Sequence, residues 1–204
     1  MNERLLNIWK KYRMDELLAL YEEADNFTAQ FKNVVGLDCQ TFCGHCCEKK
    51  DIEVTIYEFL PLAFSLWEKD EADLWLQKIE VAEKVGDTIC VFYKKAAGEE
   101  KGKGFCVKYG LRGLLCRLFG FSVLKNKNGG HIFAVCSVLK IKNILSIEHI
   151  QELLDKGVIN APSMTDYYSR LSCLVNDFNM PMYPVNTAVK KAVEKIGYEI
   201  ENCE

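Results

Sequence analysis

The stretch Cys39-Gln40-Thr41-Phe42-Cys43-Gly44-His45-Cys46-Cys47 decides how this chain folds, because it holds four of the ten cysteines. Two cysteines separated by two residues, such as Cys43 and Cys46, can turn both sulfurs toward one point. Gly44 lies in the turn between them, where we expect it to adopt a positive φ without cost. Adjacent Cys46 and Cys47 cannot both face one centre comfortably, which indicates a second centre or a bridging role for Cys47. The stretch therefore predicts a metal site built from thiolates.

Four more cysteines follow in the next part of the chain, and eight thiolates would supply two four-thiolate sites. The predicted metal ligands are Cys39, Cys43, Cys46, Cys47, Cys90, Cys106, Cys116 and Cys136. A disulfide framework is the alternative for a cysteine-dense chain. The first 35 residues carry acidic side chains that are incompatible with the apolar core of a signal peptide. We therefore expect a cytoplasmic protein, whose thiols stay reduced and available to metal.

The composition is that of an ordinary globular protein, with 49% hydrophobic residues in 204, enough for one sizeable core. The formal net charge is −3 and charges of both signs are interspersed, which gives no electrostatic reason to predict a nucleic-acid partner. No stretch approaches the roughly eighteen uncharged apolar residues of a membrane span, so no membrane partner is predicted. We interpret the short basic segment from Lys101 to Lys103 as a solvated loop.

Apolar residues recur with a helical period over most of the chain. Thr55 and Glu58 form a capping-box pattern that predicts a helix start, although Pro61 indicates a kink or a later beginning. The other predicted helices cover much of residues 1–35, then 72–85, 147–154, 164–175 and 186–196. The chain is therefore predicted to be mostly helical.

Short apolar runs predict a small antiparallel β element, with strands at 52–54 and 89–93 and a hairpin of 121–124 with 131–136. The hairpin places Cys136 across from the region of Cys116, so one could join the other in a site. Residues 94–104 are interpreted as an exposed loop. The predicted fold class is α+β, mostly helical, with a metal-organised cysteine-rich core. We expect a single domain over residues 1–204, divided into N-terminal helices (1–38), a cysteine-cluster core (39–136) and a C-terminal helical part (137–204).

The cysteine pattern resembles a family of bacterial and archaeal cysteine-cluster proteins, named for a CxxCxxCC signature and described as zinc- or iron-chelating. Cys43-Gly44-His45-Cys46-Cys47 matches its CGxCC core, and Cys90-Val91-Phe92 matches a downstream cysteine followed by an apolar pair. The segment from Cys106 to Phe119 is similar to the family's C-x-I-Y-x-x-R-P-x-x-C-R-x-F run. The resemblance covers residues 39–136 and implies that these cysteines bind zinc or iron, including iron in a 4Fe-4S cluster. It does not imply a particular reaction.

The chain departs from the family pattern at three positions. Gly113 replaces the family's proline and Lys108 replaces an apolar residue. Cys39 lies four residues before Cys43, where the signature has three, so Cys39 is the least secure ligand of the cluster. One branch of the family, the flagellin lysine N-methylases, is associated with an iron–sulfur cluster. An iron–sulfur-dependent enzyme, either an oxidoreductase or one related to protein lysine methylation, is therefore the alternative function.

Other interpretations stay open. The spacing Cys39-x3-Cys43-x2-Cys46 is also that of the radical S-adenosylmethionine cluster, although the chain lacks the strand–helix alternation of the usual barrel. His45 is either a ligand or a turn residue that hydrogen-bonds to thiolates. We found no phosphate-binding glycine loop and no nucleophile motif in the sequence.

The remaining polar candidates have supporting roles. We expect Arg112 and Arg117 to offset thiolate charge by donating to sulfur or to a nearby carboxylate, with a surface ion pair as the alternative. Tyr109 is expected to be a packed ring. Cys173 and Cys203 are expected to be ordinary free thiols.

Overall fold

A computed structural model describes residues 3–96, 98 and 102–202. Its helices are α1 (Glu3–Lys11), α2 (Met14–Val35), α3 (Leu60–Glu68), α4 (Ala72–Lys84), α5 (Leu114–Leu118), α6 (Ser137–Lys142), α7 (Ile144–Asp155), α8 (Met164–Val175) and α9 (Val185–Asn202). Two 3₁₀ turns cover Ile56–Phe59 and Tyr109–Leu111. The strands are β1 (Glu53–Thr55), β2 (Tyr93–Lys95), β3 (Gly104–Cys106), β4 (Ser122–Lys125), β5 (His131–Ala134) and β6 (Met182–Pro184).

The strands form three separate antiparallel pairs. β1 pairs with β6, β2 with β3, and β4 with β5. In the second pair Tyr93 lies opposite Cys106, which brings two distant parts of the cysteine-rich segment together. The predicted α+β class, mostly helical with a small antiparallel β component, is confirmed.

The larger core forms where α9 packs on α3 and on the first helices. One face of α9 is fully buried, and the Trp67 indole N–H donates to the Val193 carbonyl at 2.8 Å. Gly197 allows this approach, because a Cβ at that position would lie 2.5 Å from the Trp67 ring. α2 packs on α5 and α8 in the same cluster. Helices from both ends of the chain thus enclose the segment that carries the cysteines.

A smaller core lies between the β4–β5 hairpin and α7. Phe31 of α2 meets Phe133 of β5 edge to face, with ring centres 5.4 Å apart. The Gln151 side chain of α7 accepts from the Phe133 N–H at 2.9 Å and donates to the His131 carbonyl at 2.8 Å. The predicted hairpin is confirmed, and α7 satisfies backbone groups at its outer edge.

The segment before α3 bears out the effect predicted for Pro61. The Thr55 N–H donates to the Glu58 carboxylate at 2.9 Å, as the capping-box pattern predicts. A 3₁₀ turn then intervenes, and α3 begins at Leu60 with Pro61 in its first turn, where a missing N–H costs nothing. The later start is confirmed.

The strand predicted at 89–93 is wrong, since β2 begins only at Tyr93. The Asn186 side chain accepts from the Val91 N–H at 3.0 Å and donates to the Ile89 carbonyl at 2.8 Å. These backbone groups therefore bind a side chain of α9 instead of a neighbouring strand.

The exposed loop predicted at 94–104 is wrong in part, because residues 94, 95 and 104 pair in the β2–β3 hairpin. Lys101 and Cys203 lie outside the described residues, so the interpretations made for them stay predictions. In the part of the chain that the structure describes, no helix has both the length and the apolar character needed to cross a bilayer.

Candidate metal centre

A cavity of about 430 Å³ lies at the centre of the cysteine-rich segment, and seven cysteines line it. They come from three separate parts of the chain: the loop after α2, the turn before β2, and the run from β3 into α5. The seven are Cys39, Cys43, Cys46, Cys47, Cys90, Cys106 and Cys116. The fold thus gathers seven of the eight predicted ligands around one space.

The loop that carries the first four cysteines is fixed by backbone hydrogen bonds to the start of β3. The Gly44 N–H donates to the Gly102 carbonyl at 2.7 Å, and the Gly104 N–H donates to the Phe42 carbonyl at 2.9 Å. The positive φ expected at Gly44 is wrong, because Phe42 takes the left-handed conformation, with φ 58°. Gly44 is needed for space instead: a Cβ there would lie 2.4 Å from the Tyr93 ring.

Tyr93 of β2 lies at the edge of this loop, its ring against both Gly44 and Gly104. Its hydroxyl donates to Glu48 Oε1 at 3.0 Å, and the Gly102 N–H donates to Glu48 Oε2 at 2.8 Å. Burial and the nearby Glu48 carboxylate raise the pKa of Tyr93 to about 12. Tyr93 therefore stays a neutral hydrogen-bond donor that links the cysteine loop to the β2–β3 hairpin.

Cys46 and Cys47 both line the cavity, and their sulfur atoms lie 4.0 Å apart. The hydrogen bond with Cys47 lowers the pKa of Cys46 to about 7, and the same interaction raises the pKa of Cys47 far above its ordinary value. Cys46 therefore becomes the thiolate, which is the metal-binding form, more readily than an ordinary cysteine does. The second centre or bridging role expected for Cys47 stays a prediction.

Four further thiols of the cavity are held in the protonated form by burial. Desolvation raises the pKa of Cys90 to about 12 and that of Cys39 to about 11, and it also raises the pKa of Cys106 and Cys116. Cys116 has an exposed side chain that lines the cavity, and we attribute its accessible surface to the cavity. A metal cation in the cavity would favour the thiolate form instead of the thiol, because metal binding displaces the thiol protons.

Two arginines beside the cavity share one carboxylate on α2. Arg112 Nη2 donates to Asp25 Oδ1 at 2.7 Å, and Arg117 Nη1 binds Asp25 Oδ2. Arg117 also donates to the carbonyls of Gly110 at 2.8 Å and Arg112 at 3.1 Å, and its side chain is only 5% exposed. The expected pairing with a nearby carboxylate is confirmed, and for Arg117 the alternative of a surface ion pair is wrong.

Arg112 also carries positive charge toward the thiols. Its guanidinium contributes to lowering the pKa of Cys46 and, against the dominant effect of burial, favours the thiolate of Cys106. It stacks on Tyr109, with 3.9 Å from the guanidinium carbon to the ring centre. The packed ring predicted for Tyr109 is wrong, because the residue is 64% exposed where it lines the cavity.

Three other candidates lie apart from the residues that line the cavity. His45 packs on the Gly102 backbone, where a Cβ would come within 2.2 Å of its ring. Cys136 occupies the N-terminus of α6, where its sulfur accepts from the Leu139 N–H at 3.4 Å. Cys173 is an exposed free thiol on α8, as expected. Cys136 does lie near enough to Cys39 to influence its pKa, so it borders the site without lining the cavity.

The positions of the thiols decide which kind of metal group they could bind. Among the described residues, no three His, Cys, Asp or Glu side chains are grouped tightly enough to hold an ion where they stand. The seven thiols instead line the walls of one cavity. They therefore fit either a group larger than a single ion, or single ions toward which the cysteine side chains move when the ions bind. Their chemistry fits well, since thiolates are the ligands of zinc and of iron–sulfur clusters.

Helix α2 contributes to the site in a way that our sequence analysis missed. Asp25 holds both arginines, while Thr28 and Lys32 line the cavity itself. The three positions are spaced by three and four residues and so lie on one face of the helix. A polar stripe on an otherwise core-facing helix was the signal that could have revealed this role.

Comparisons with known proteins support the metal assignment at the level of a family. Comparison with curated proteins and with solved structures found no match. Residues 38–137 match the CxxCxxCC family, described as a "Putative zinc- or iron-chelating domain". The matched segment contains all eight predicted ligands, whereas α2 precedes it and α7, α8 and α9 follow it. Residues 38–137 therefore match the family that the cysteine pattern resembles.

Proposed function

We propose that this protein binds zinc or iron through the cysteine thiolates of the central cavity. The observation that carries the proposal is that seven cysteines from three separate segments line one space. A structural zinc ion takes four protein ligands, so seven thiols exceed the needs of one ion. This excess favours more than one metal atom, either as two ions or as an iron–sulfur cluster such as 4Fe-4S.

Five of the thiols are linked by their effects on one another's pKa. Cys46, Cys90 and Cys106 each influence the pKa of Cys116, and Cys46, Cys90 and Cys116 each influence that of Cys47. We assign the first ligand set to these five thiols. Cys39, Cys43 and Cys136 form a second group, since Cys43 and Cys136 both influence the pKa of Cys39. When bound, zinc would supply a structural cross-link between segments, and an iron–sulfur cluster would supply an electron-transfer centre.

The chain's own residues prepare the cavity for this role. The Cys46–Cys47 pair supplies one thiolate readily, and Arg112 offsets part of the negative charge that the ligands accumulate. Asp25 in turn holds Arg112 and Arg117 in place. The proposal requires reduced thiols, and we therefore also propose the cytoplasm, where thiols stay reduced, as the location.

Single substitutions test the proposal directly. Cys46→Ser and Cys106→Ser should each lower the metal content per chain and the melting temperature, because metal binding free energy adds to folding free energy. Cys173→Ser is the matched control, since Cys173 is a free thiol on α8 away from the cavity. Metal stoichiometry and melting temperature that stay unchanged in both cavity variants would refute the proposed function.

A further inference from the structure

Two residues that line the thiolate cavity each carry a buried polar group with no hydrogen-bond partner among the described residues. One is the hydroxyl of Thr28, a residue that is only 7% exposed, and the other is the buried Nε–H of Arg112. Buried polar groups are nearly always hydrogen-bonded, so an exception in a cavity points to a ligand that accepts from it. Both residues belong to the wall of the same cavity, which points to one ligand for the two groups.

Both groups are held in place by the rest of the structure. Arg112 is fixed through its Nη2 by Asp25 and by stacking on Tyr109, and its Nε–H is a buried donor without a partner among the described residues. Thr28 follows Asp25 by three residues on the same helix, so α2 positions both donors. Such preorganised donors cost little further ordering when an acceptor arrives.

We propose that Thr28 and Arg112 form a hydrogen-bonding subsite of the cavity, in which the Thr28 hydroxyl and the Arg112 Nε–H donate to metal-bound sulfur. The inference rests on the proposed function, since the acceptor is a sulfur that carries negative charge when a metal binds it. Thr28 and Arg112 are positioning residues and not ligands. Groups of this kind orient the ligands around a metal, and their loss typically lowers metal affinity by about 10–100-fold.

Thr28→Val tests the subsite, because valine has a similar shape and lacks the hydroxyl. In the metal-free protein the variant removes a buried unpaired polar group, so its melting temperature should equal or exceed that of the wild type. With metal, its affinity for Co²⁺, followed anaerobically by thiolate-to-cobalt absorption, should fall by about tenfold. Arg112→Lys keeps the positive charge but lacks Nε–H, and its affinity should fall in the same way.

Ser122→Ala is the matched control. It removes another buried hydroxyl without a partner among the described residues, in β4 and outside the cavity lining, and should leave Co²⁺ affinity unchanged. If the wild type binds Co²⁺ and Thr28→Val binds it equally well, only this inference is refuted. A lower melting temperature of metal-free Thr28→Val would also overturn it, by showing that the hydroxyl has a partner within the protein. A wild type that binds no Co²⁺ would refute this inference together with thiolate metal binding.

Discussion

Asp25→Asn should destabilise the protein by much more than a surface ion pair is worth. The substitution keeps the size of the side chain but removes the charge that balances Arg112 and Arg117. The Arg117 side chain is 5% exposed and that of Arg112 is 14% exposed, while the Asp25 side chain is 37% exposed. The guanidinium groups would therefore stay buried without a counter-charge.

The magnitude follows from these exposures. Breaking a fully buried pair costs about 3–5 kcal/mol, and breaking an exposed pair costs about 0–1 kcal/mol. Because one partner is partly exposed here, we expect a loss of about 2–3 kcal/mol in the free energy of unfolding. For a chain of this length that loss lowers the melting temperature by roughly 4–12 °C.

The assay is thermal and urea unfolding of the metal-free protein, with Glu23→Gln as the matched control. Glu23 lies on the same helix and binds Arg170 through both oxygens, but both side chains are about half exposed. This control should lose no more than about 1 kcal/mol. If Asp25→Asn costs no more than Glu23→Gln, our account of the shared carboxylate is wrong.

Two further substitutions test the packing of the site. Gly44→Ala would place a Cβ 2.4 Å from the Tyr93 ring and should cost about 1–3 kcal/mol, whereas Gly110→Ala meets nothing within 4 Å and should be nearly neutral in urea unfolding. Burial raises the pKa of Glu58 in the folded protein above its ordinary 4.5. The protonated Glu58 side chain therefore contributes its full stabilisation below the pKa of the unfolded chain, and this stabilisation is lost as the pH rises through the pKa of the folded protein. The stability of the wild type relative to Glu58→Gln should therefore decline as pH rises above about 4.5, and a difference that grows with pH would contradict this.

The helices were predictable because their signals are local. Amphipathic periodicity located α2, α8 and α9, and the capping pattern with Pro61 located the delayed start of α3. The predicted strand at 89–93 failed for a non-local reason. Asn186, almost a hundred residues away in the sequence, takes the backbone groups that a strand would have used.

The cysteines of the site were predictable from spacing and resemblance, but their surroundings were not. Spacing identified Cys43 and Cys46, the number of cysteines added the downstream thiols, and the resemblance agreed with both; the fold brings three of those downstream thiols to the same cavity. The contribution of α2 was missed, because its apolar pattern indicated only a helix that packs on the core. The pattern does not reveal that the polar residues Thr28 and Lys32 of the same helix line a cavity. We predicted a glycine requirement at position 44 from a positive φ. The structure shows that glycine is required there because the Tyr93 ring of β2 leaves no room for a Cβ.

The central claim is that the seven-thiol cavity holds more than one metal atom. It is tested most directly by measuring zinc, iron and acid-labile sulfide per chain, on protein purified without air. Our account predicts more than one metal atom per chain, with matching sulfide and broad visible absorption if the metal is iron. A fully reduced, folded chain without zinc or iron, or with a single ion, would contradict it.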